Sequence, residues 1–188
     1  FEAAQSLNIG RNNIAIGHQA LNSDDVGDRT VAIGYKALYS QNSDSDNEST
    51  KNTGVGYEAG YYNVTGTENT YFGYGAGGSG AGSTNSHSYN TAIGANALIS
   101  LTTGNYNTAV GQNALDELAN GSYNVAIGNG ALHALDGSED HNVSIGYNSF
   151  NNADGAQYNV GVGNAVTLST AAGTNQIVIG YNAVGQAD

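Results

Sequence analysis

The 188-residue sequence predicts an all-β fold, a parallel β-solenoid (β-roll) of about ten coils, and three observations predict it. A glycine recurs at a fixed period. An apolar residue precedes that glycine, with an apolar residue or Thr two places earlier. Each unit then closes through a stretch rich in Gly, Asn, Ser and Asp.

The period comes first, because a missed repeat miscasts the whole fold. The anchoring glycines are Gly10, Gly17, Gly34, Gly56, Gly73, Gly94, Gly111, Gly128, Gly146, Gly163 and Gly180, and six of the ten intervals are 17 residues. The intervals of 22 and 21 residues hold insertions, so the expectation is one repeat domain over 1–188 with loop insertions near 39–51 and 75–88. The first interval is only 7 residues, and Leu7-Asn8-Ile9-Gly10 reads as a degenerate unit.

The residue before each anchor is Ile, Val or, at Phe72, aromatic. Two places earlier stand residues such as Ile14, Val31, Thr91, Thr108 and Val143. β-Branched residues at spacing two favour a strand and share one of its faces. That face is expected to point inward, with Thr53, Thr70, Thr91 and Thr108 making the middle core narrower or partly polar. The intervening small residues, such as Ala32, Ala92 and Ala109, are then expected to form a flat outer wall that lets another chain approach closely. Ala-Leu pairs (Ala20-Leu21, Ala37-Leu38, Ala97-Leu98, Ala114-Leu115, Ala131-Leu132) suggest a second short strand whose Leu completes the core. Helix fails as an alternative, since the apolar spacing is not 3.6 and Gly interrupts every unit. In-register stacking of ten coils at roughly 4.8 Å gives a rod of about 48 Å.

Stacking also predicts two ladders. One is of Asn, at Asn52, Asn69, Asn90, Asn107, Asn124, Asn142 and Asn159, with side chains bonded along the axis. The other is aromatic, at Tyr89, Tyr106, Tyr123, His141 and Tyr158. Tyr35, Tyr57, Tyr74, Tyr147 and Tyr181 directly follow the anchors and form a third, broken stripe, suited either to stacking on sugar rings or to packing between chains.

Composition narrows the function classes. Gly is 28 of 188 residues and charged residues only 11%, against a usual ~25%, which argues against a helical bundle and a charged tail. Net charge is −12, and the four basic residues (Arg11, Arg29, Lys36, Lys51) all lie in the first 51 positions. Such a surface repels phosphate backbones and anionic lipid, so neither nucleic acid nor membrane is an expected partner. No 18-residue apolar run is present to insert in a bilayer. The absence of Cys excludes disulfides and thiolate metal sites. Phe1 reads as a processed terminus or the edge of an excised piece, and neither end carries a charged or Pro-bearing cap.

The unit Asn90-Thr-Ala-Ile-Gly-x-x-Ala-Leu98, repeated in register from about Leu7 to Val184, resembles the head repeats of the YadA-like trimeric autotransporter adhesins and the tandem repeats of some phage tail fibres and bacterial surface proteins. The resemblance implies a left-handed roll and three chains side by side. The 17-residue unit is longer than the adhesin unit, and an Ala-Leu segment replaces the Ser-rich strand.

No catalytic constellation is legible, and an enzyme is not expected. His18, His87, His133 and His141 fall at different phases of the repeat, and Asp and Glu are scattered. No cofactor is implied. The one metal candidate is a calcium loop at Asp44, Asp46 and Glu48, with a weaker cluster at Asp136, Glu139 and Asp140. The leading expectation is therefore an extracellular structural or adhesive fibre segment at a cell or virion surface. It would assemble with copies of itself, side by side or end to end, and engage a glycan or protein receptor. The alternatives are a head-to-tail filament subunit and an ice- or glycan-binding solenoid. The inward assignment of Thr53, Thr70, Thr91 and Thr108 weighs against ice.

Overall fold

A computed structural model of the chain describes residues 2–43, 49–78, 85–134, 137 and 139–186. It is a β-solenoid of ten three-residue strands: β1 (Ile14–Ile16), β2 (Val31–Ile33), β3 (Thr53–Val55), β4 (Thr70–Phe72), β5 (Thr91–Ile93), β6 (Thr108–Val110), β7 (Val125–Ile127), β8 (Val143–Ile145), β9 (Val160–Val162) and β10 (Ile177–Ile179). All lie in one parallel sheet in chain order. The register keeps equivalent residues opposite one another, as in Thr91↔Thr108 and Ile93↔Val110. Among the described residues there is no helix.

Local backbone geometry explains why each strand has only three residues. Two places before the strand stands a residue in the left-handed region, such as Tyr106 (φ 60°) or Tyr123 (φ 61°). Directly after it comes the anchor Gly, with φ between 125° and 144°. Both conformations turn the chain out of the strand region. A side chain at the anchor is also excluded by space. A Cβ on Gly111 would fall inside the carbonyl oxygen of Gly128 in the next coil.

The strand faces are opposite to the sequence expectation. The middle residues Ala32, Ala92, Ala109 and Ala126 are fully buried, whereas Ile16, Ile93 and Ile179 are 58%, 39% and 69% exposed. Alternation of period two defines two faces without saying which is inside. The coil decides it by volume. Leu21, Leu38, Leu98, Leu115 and Leu132 project into the same interior and are fully buried, leaving space for only a methyl from the strand opposite. The Ala and Gly residues therefore line the core, and Ile, Val and Thr form the outer wall.

The Ala-Leu segment is a turn rather than a second strand. Leu38, Leu98 and Leu115 have φ of 49–52°, a left-handed conformation that breaks extended structure. Leu98 nonetheless donates its N–H to the Ala114 carbonyl of the next coil at 3.1 Å, so this side stacks in register too. Leu7–Gly10 is likewise not a repeat unit. Ala4 N–H bonds the Ala20 carbonyl and Asn8 N–H the Asp25 carbonyl, which places this segment beneath the turns of the following coil, with Gly10 under Gly27 instead of Gly17.

The core also shows a compensated swap. Tyr71 occupies the strand position that Ala holds elsewhere and is fully buried. Room for it comes from Gly60 and Gly77, which stand where other coils carry Leu. A Cβ on Gly60 would lie 2.6 Å from the Tyr71 ring. The same exchange recurs where Phe150 takes a Leu position and Gly161 faces it. The Tyr71 hydroxyl shares a 3.0 Å hydrogen bond with Nδ1 of buried His87, whose pKa burial lowers to about 4.

Two predictions follow from this geometry. Gly111→Ala is expected to destabilise the chain by more than about 1 kcal/mol in urea denaturation, because both φ and the next coil's carbonyl oppose a side chain. His87 is held neutral in the folded state, so its contribution is complete above pH ~6.5 and is lost as pH falls toward 4. The loss amounts to about 3 kcal/mol at most. His87→Gln should flatten the stability profile across that window.

Candidate interaction surface

The Asn column locks one coil to the next. Each buried Asn accepts the backbone N–H of the next through Oδ1: Asn107 N–H to Asn90 at 2.8 Å, Asn124 to Asn107 at 3.0 Å, Asn142 to Asn124 at 3.0 Å and Asn159 to Asn142 at 3.2 Å. Its Nδ2 donates to a turn carbonyl: Asn90 to Gly104, Asn107 to Gly121, Asn124 to Glu139, Asn142 to Ala156 and Asn159 to Gly173. Asn52 and Asn69 do the same with Gly66 and His87. Thr30 takes this slot between Asn13 and Asn52, and pairs with the Thr50 hydroxyl instead. Asn63 and Asn142 each open an Asn-x-Ser/Thr sequence, and both are fully buried in the folded chain.

Just before the Asn column the rings Tyr89, Tyr106, Tyr123, His141 and Tyr158 stack at centroid distances of 4.7, 5.0, 4.9 and 5.0 Å. All five residues have φ near 60°. The left-handed corner splays each side chain outward, and the coil spacing brings the rings into face contact. On the other side of the sheet His18, Tyr35, Tyr57 and Tyr74 stack at 5.5, 4.9 and 5.1 Å. The Tyr57 hydroxyl has a raised pKa, first from partial desolvation and then from the Glu58 carboxylate. Tyr147 and Tyr181 occupy the same column but are separated by Asn164, so they stand alone and exposed.

Between the two aromatic edges lies the outward strand face. One column runs Ile14, Val31, Thr53, Thr70, Thr91, Thr108, Val125, Val143, Val160 and Ile177; the other runs Ile16, Ile33, Val55, Phe72, Ile93, Val110, Ile127, Ile145, Val162 and Ile179. Ten strands at roughly 4.8 Å span about 43 Å between the first and last. With columns about 7 Å apart, the strip covers on the order of 300 Å², a size often functional on a soluble chain. Sequence reasoning missed this surface, because it placed these residues inside. Their unusual size for a wall facing Leu was the signal that could have found it.

The remaining polar groups serve the turns. Glu139 is buried and accepts the N–H of Gly155 at 2.9 Å and of Gly137 at 3.1 Å. Asp140 accepts Ser122 N–H at 2.6 Å, and His133 Nδ1 pairs with Asp116. Asp24 accepts the N–H groups of Gly27 and Ser43 while burial raises its pKa. No three His, Asp or Glu residues converge on a metal position among the described residues. The calcium candidates Asp44, Asp46 and Glu48 lie outside the described residues, as does Asp136. Among the described residues no helix is long and apolar enough to cross a membrane. Compared with protein families, curated proteins and solved structures, the chain matches none.

Asn124→Ala tests the ladder. It removes both bonds of one rung and strands the Asn142 N–H and the Glu139 carbonyl. Orphaned buried groups cost about 1–3 kcal/mol each, so a loss of about 3 kcal/mol is expected in chemical denaturation.

Proposed function

We propose that the chain is a structural and adhesive fibre segment at a cell or virion surface, and that it assembles side by side with copies of itself through the outward Ile/Val/Thr face. The observation that carries this reading is the two-column outward strip on β1–β10, apolar along one column and at both ends of the other, with four Thr between. A rod apolar along one side buries that side by grouping strips around a common axis, and three chains so arranged agree with the adhesin-like repeat. The contact face is thus β-branched, not the Ala/Gly wall the repeat first suggested. The exposed Tyr35, Tyr57, Tyr74, Tyr147 and Tyr181 are candidate contacts for sugar rings of a receptor or for a neighbouring chain.

One second reading has an observation of its own. Thr53, Thr70, Thr91 and Thr108 face outward at one strand spacing, which removes the objection to an ice-binding array. Thermal hysteresis in the purified chain, lost in Thr91→Lys, would favour that reading.

Mass in solution tests the main reading. The wild type is expected as a discrete oligomer, near three times the 19.1 kDa chain. The double substitution Ile127→Glu, Ile145→Glu is expected to give a monomer with unchanged far-UV circular dichroism, since both side chains already point outward. A wild type that is monomeric overturns the proposal. Indefinite polymers unaffected by the substitutions would point to head-to-tail stacking instead.

A further inference from the structure

We propose that a notch in the fourth coil, walled by Tyr61, Tyr62 and Tyr74 with Glu58 at its rim, binds an alkylammonium group. The repeat itself supplies the template. In the second coil Lys36 lies beside two aromatic columns, with its ammonium 5.4 Å from the Tyr35 ring, 5.3 Å from Tyr39 and 5.6 Å from Tyr61. That is the distance at which ring faces attract a cation. Counting from the anchor glycines, the Lys36 position becomes Glu58 in the third coil and Gly75 in the fourth. The Tyr39 position becomes Tyr61 and then Gly78.

Two glycines in one coil delete both side chains that fill this groove elsewhere. What remains is a cleft of about 130 Å³ lined by Glu58, Tyr61, Tyr62, Tyr74 and Ile99 above a floor of Gly75 and Gly78. The Tyr61 and Tyr62 rings stand at 65° with centroids 4.4 Å apart, so they make two walls instead of one plane. Tyr74 closes the stack of rings on the other flank. The groove that holds an intramolecular ammonium at Lys36 therefore recurs without its occupant. Here it gains a carboxylate that Lys36 lacks, because no acidic oxygen pairs with Lys36 among the described residues. The chain's net charge of −12 adds long-range attraction for a cation. The volume suits one headgroup, a lysine side chain or a methylated amine, and is below the roughly 300 Å³ of sites for larger ligands. The site shares Tyr74 with the candidate sugar or interchain contacts, but none of its lining residues belongs to the Ile/Val/Thr strip, so the oligomer test and the cation test can fail separately.

Titration of the intact chain with tetramethylammonium and butylammonium chloride, followed by the ring resonances of Tyr61, Tyr62 and Tyr74, tests the assignment. Saturable shifts are expected for both cations, and none at Tyr61 and Tyr62 for neutral methyl glucoside. Glu58→Gln and Tyr62→Ala should each weaken binding by about tenfold. Gly75→Lys should abolish it by filling the notch from within, because Lys36 already adopts the same left-handed conformation (φ 52°) at the equivalent position. The proposal is overturned if neither cation gives saturable shifts, if the sugar binds and the cations do not, or if all three folded variants bind like wild type.

Discussion

Each coil of this protein is too thin to hold itself together, and the Asn side-chain bridge to the next coil is what the remaining structure depends on. An isolated 17-residue loop has a thin interior of Ala and Leu, such as Ala109, Ala114, Leu115 and Leu118 in the sixth coil, and buries too little to offset the entropy of ordering it. The Asn column changes this by satisfying two backbone groups per coil at the corner where the strand begins. Oδ1 receives the N–H of the next Asn, and Nδ2 caps a turn carbonyl that would otherwise be buried unpaired. These bonds lie along the axis and repeat at one spacing, so they impose the register that the strands, the Leu turns and the aromatic stacks then share. Stability becomes a sum over neighbouring coils, as in other solenoids.

The anchor glycine is the second constraint, and it works with the first. Its φ of about 135° turns the chain sharply after three strand residues, and its missing Cβ lets the next coil's carbonyl sit directly over it. Strands so short cannot enclose a thick core. The interior therefore takes Ala from the strand and Leu from the turn, and larger residues enter only by exchange. Tyr71 enters where Gly60 and Gly77 have given up Leu, and Phe150 where Gly161 has given up Ala.

A thin core has a consequence for function. Apart from Val178, the large β-branched strand residues have no place inside, and they stand on the outer wall in two columns, with Phe72 among them. A chain that must expose such a strip is suited to association with other rods. The aromatic stacks at its two edges add rigid, amphipathic surface at low entropic cost. Where the repeat is perfect, these surfaces are continuous. Where it lapses, as at Gly75 and Gly78, it leaves a cleft of defined chemistry.

The sequence alone determined the period, the all-β class, the positions of all ten strands and the columns of Asn and aromatic residues, because identical residues at one spacing can stack in only one register. It did not determine which strand face is inside. Ile14, Val31 and Thr53 alternate with Ala15, Ala32 and Gly54 in either orientation, and hydrophobicity favours the larger residues for the core. Only the tertiary structure decided against them, since the volume inside a coil is set by the Leu side chains arriving from its opposite wall. The same holds for the Ala-Leu turn and for Leu7–Gly10. Both carry strand-like or repeat-like residues, and their conformation follows from which part of the neighbouring coil they must meet.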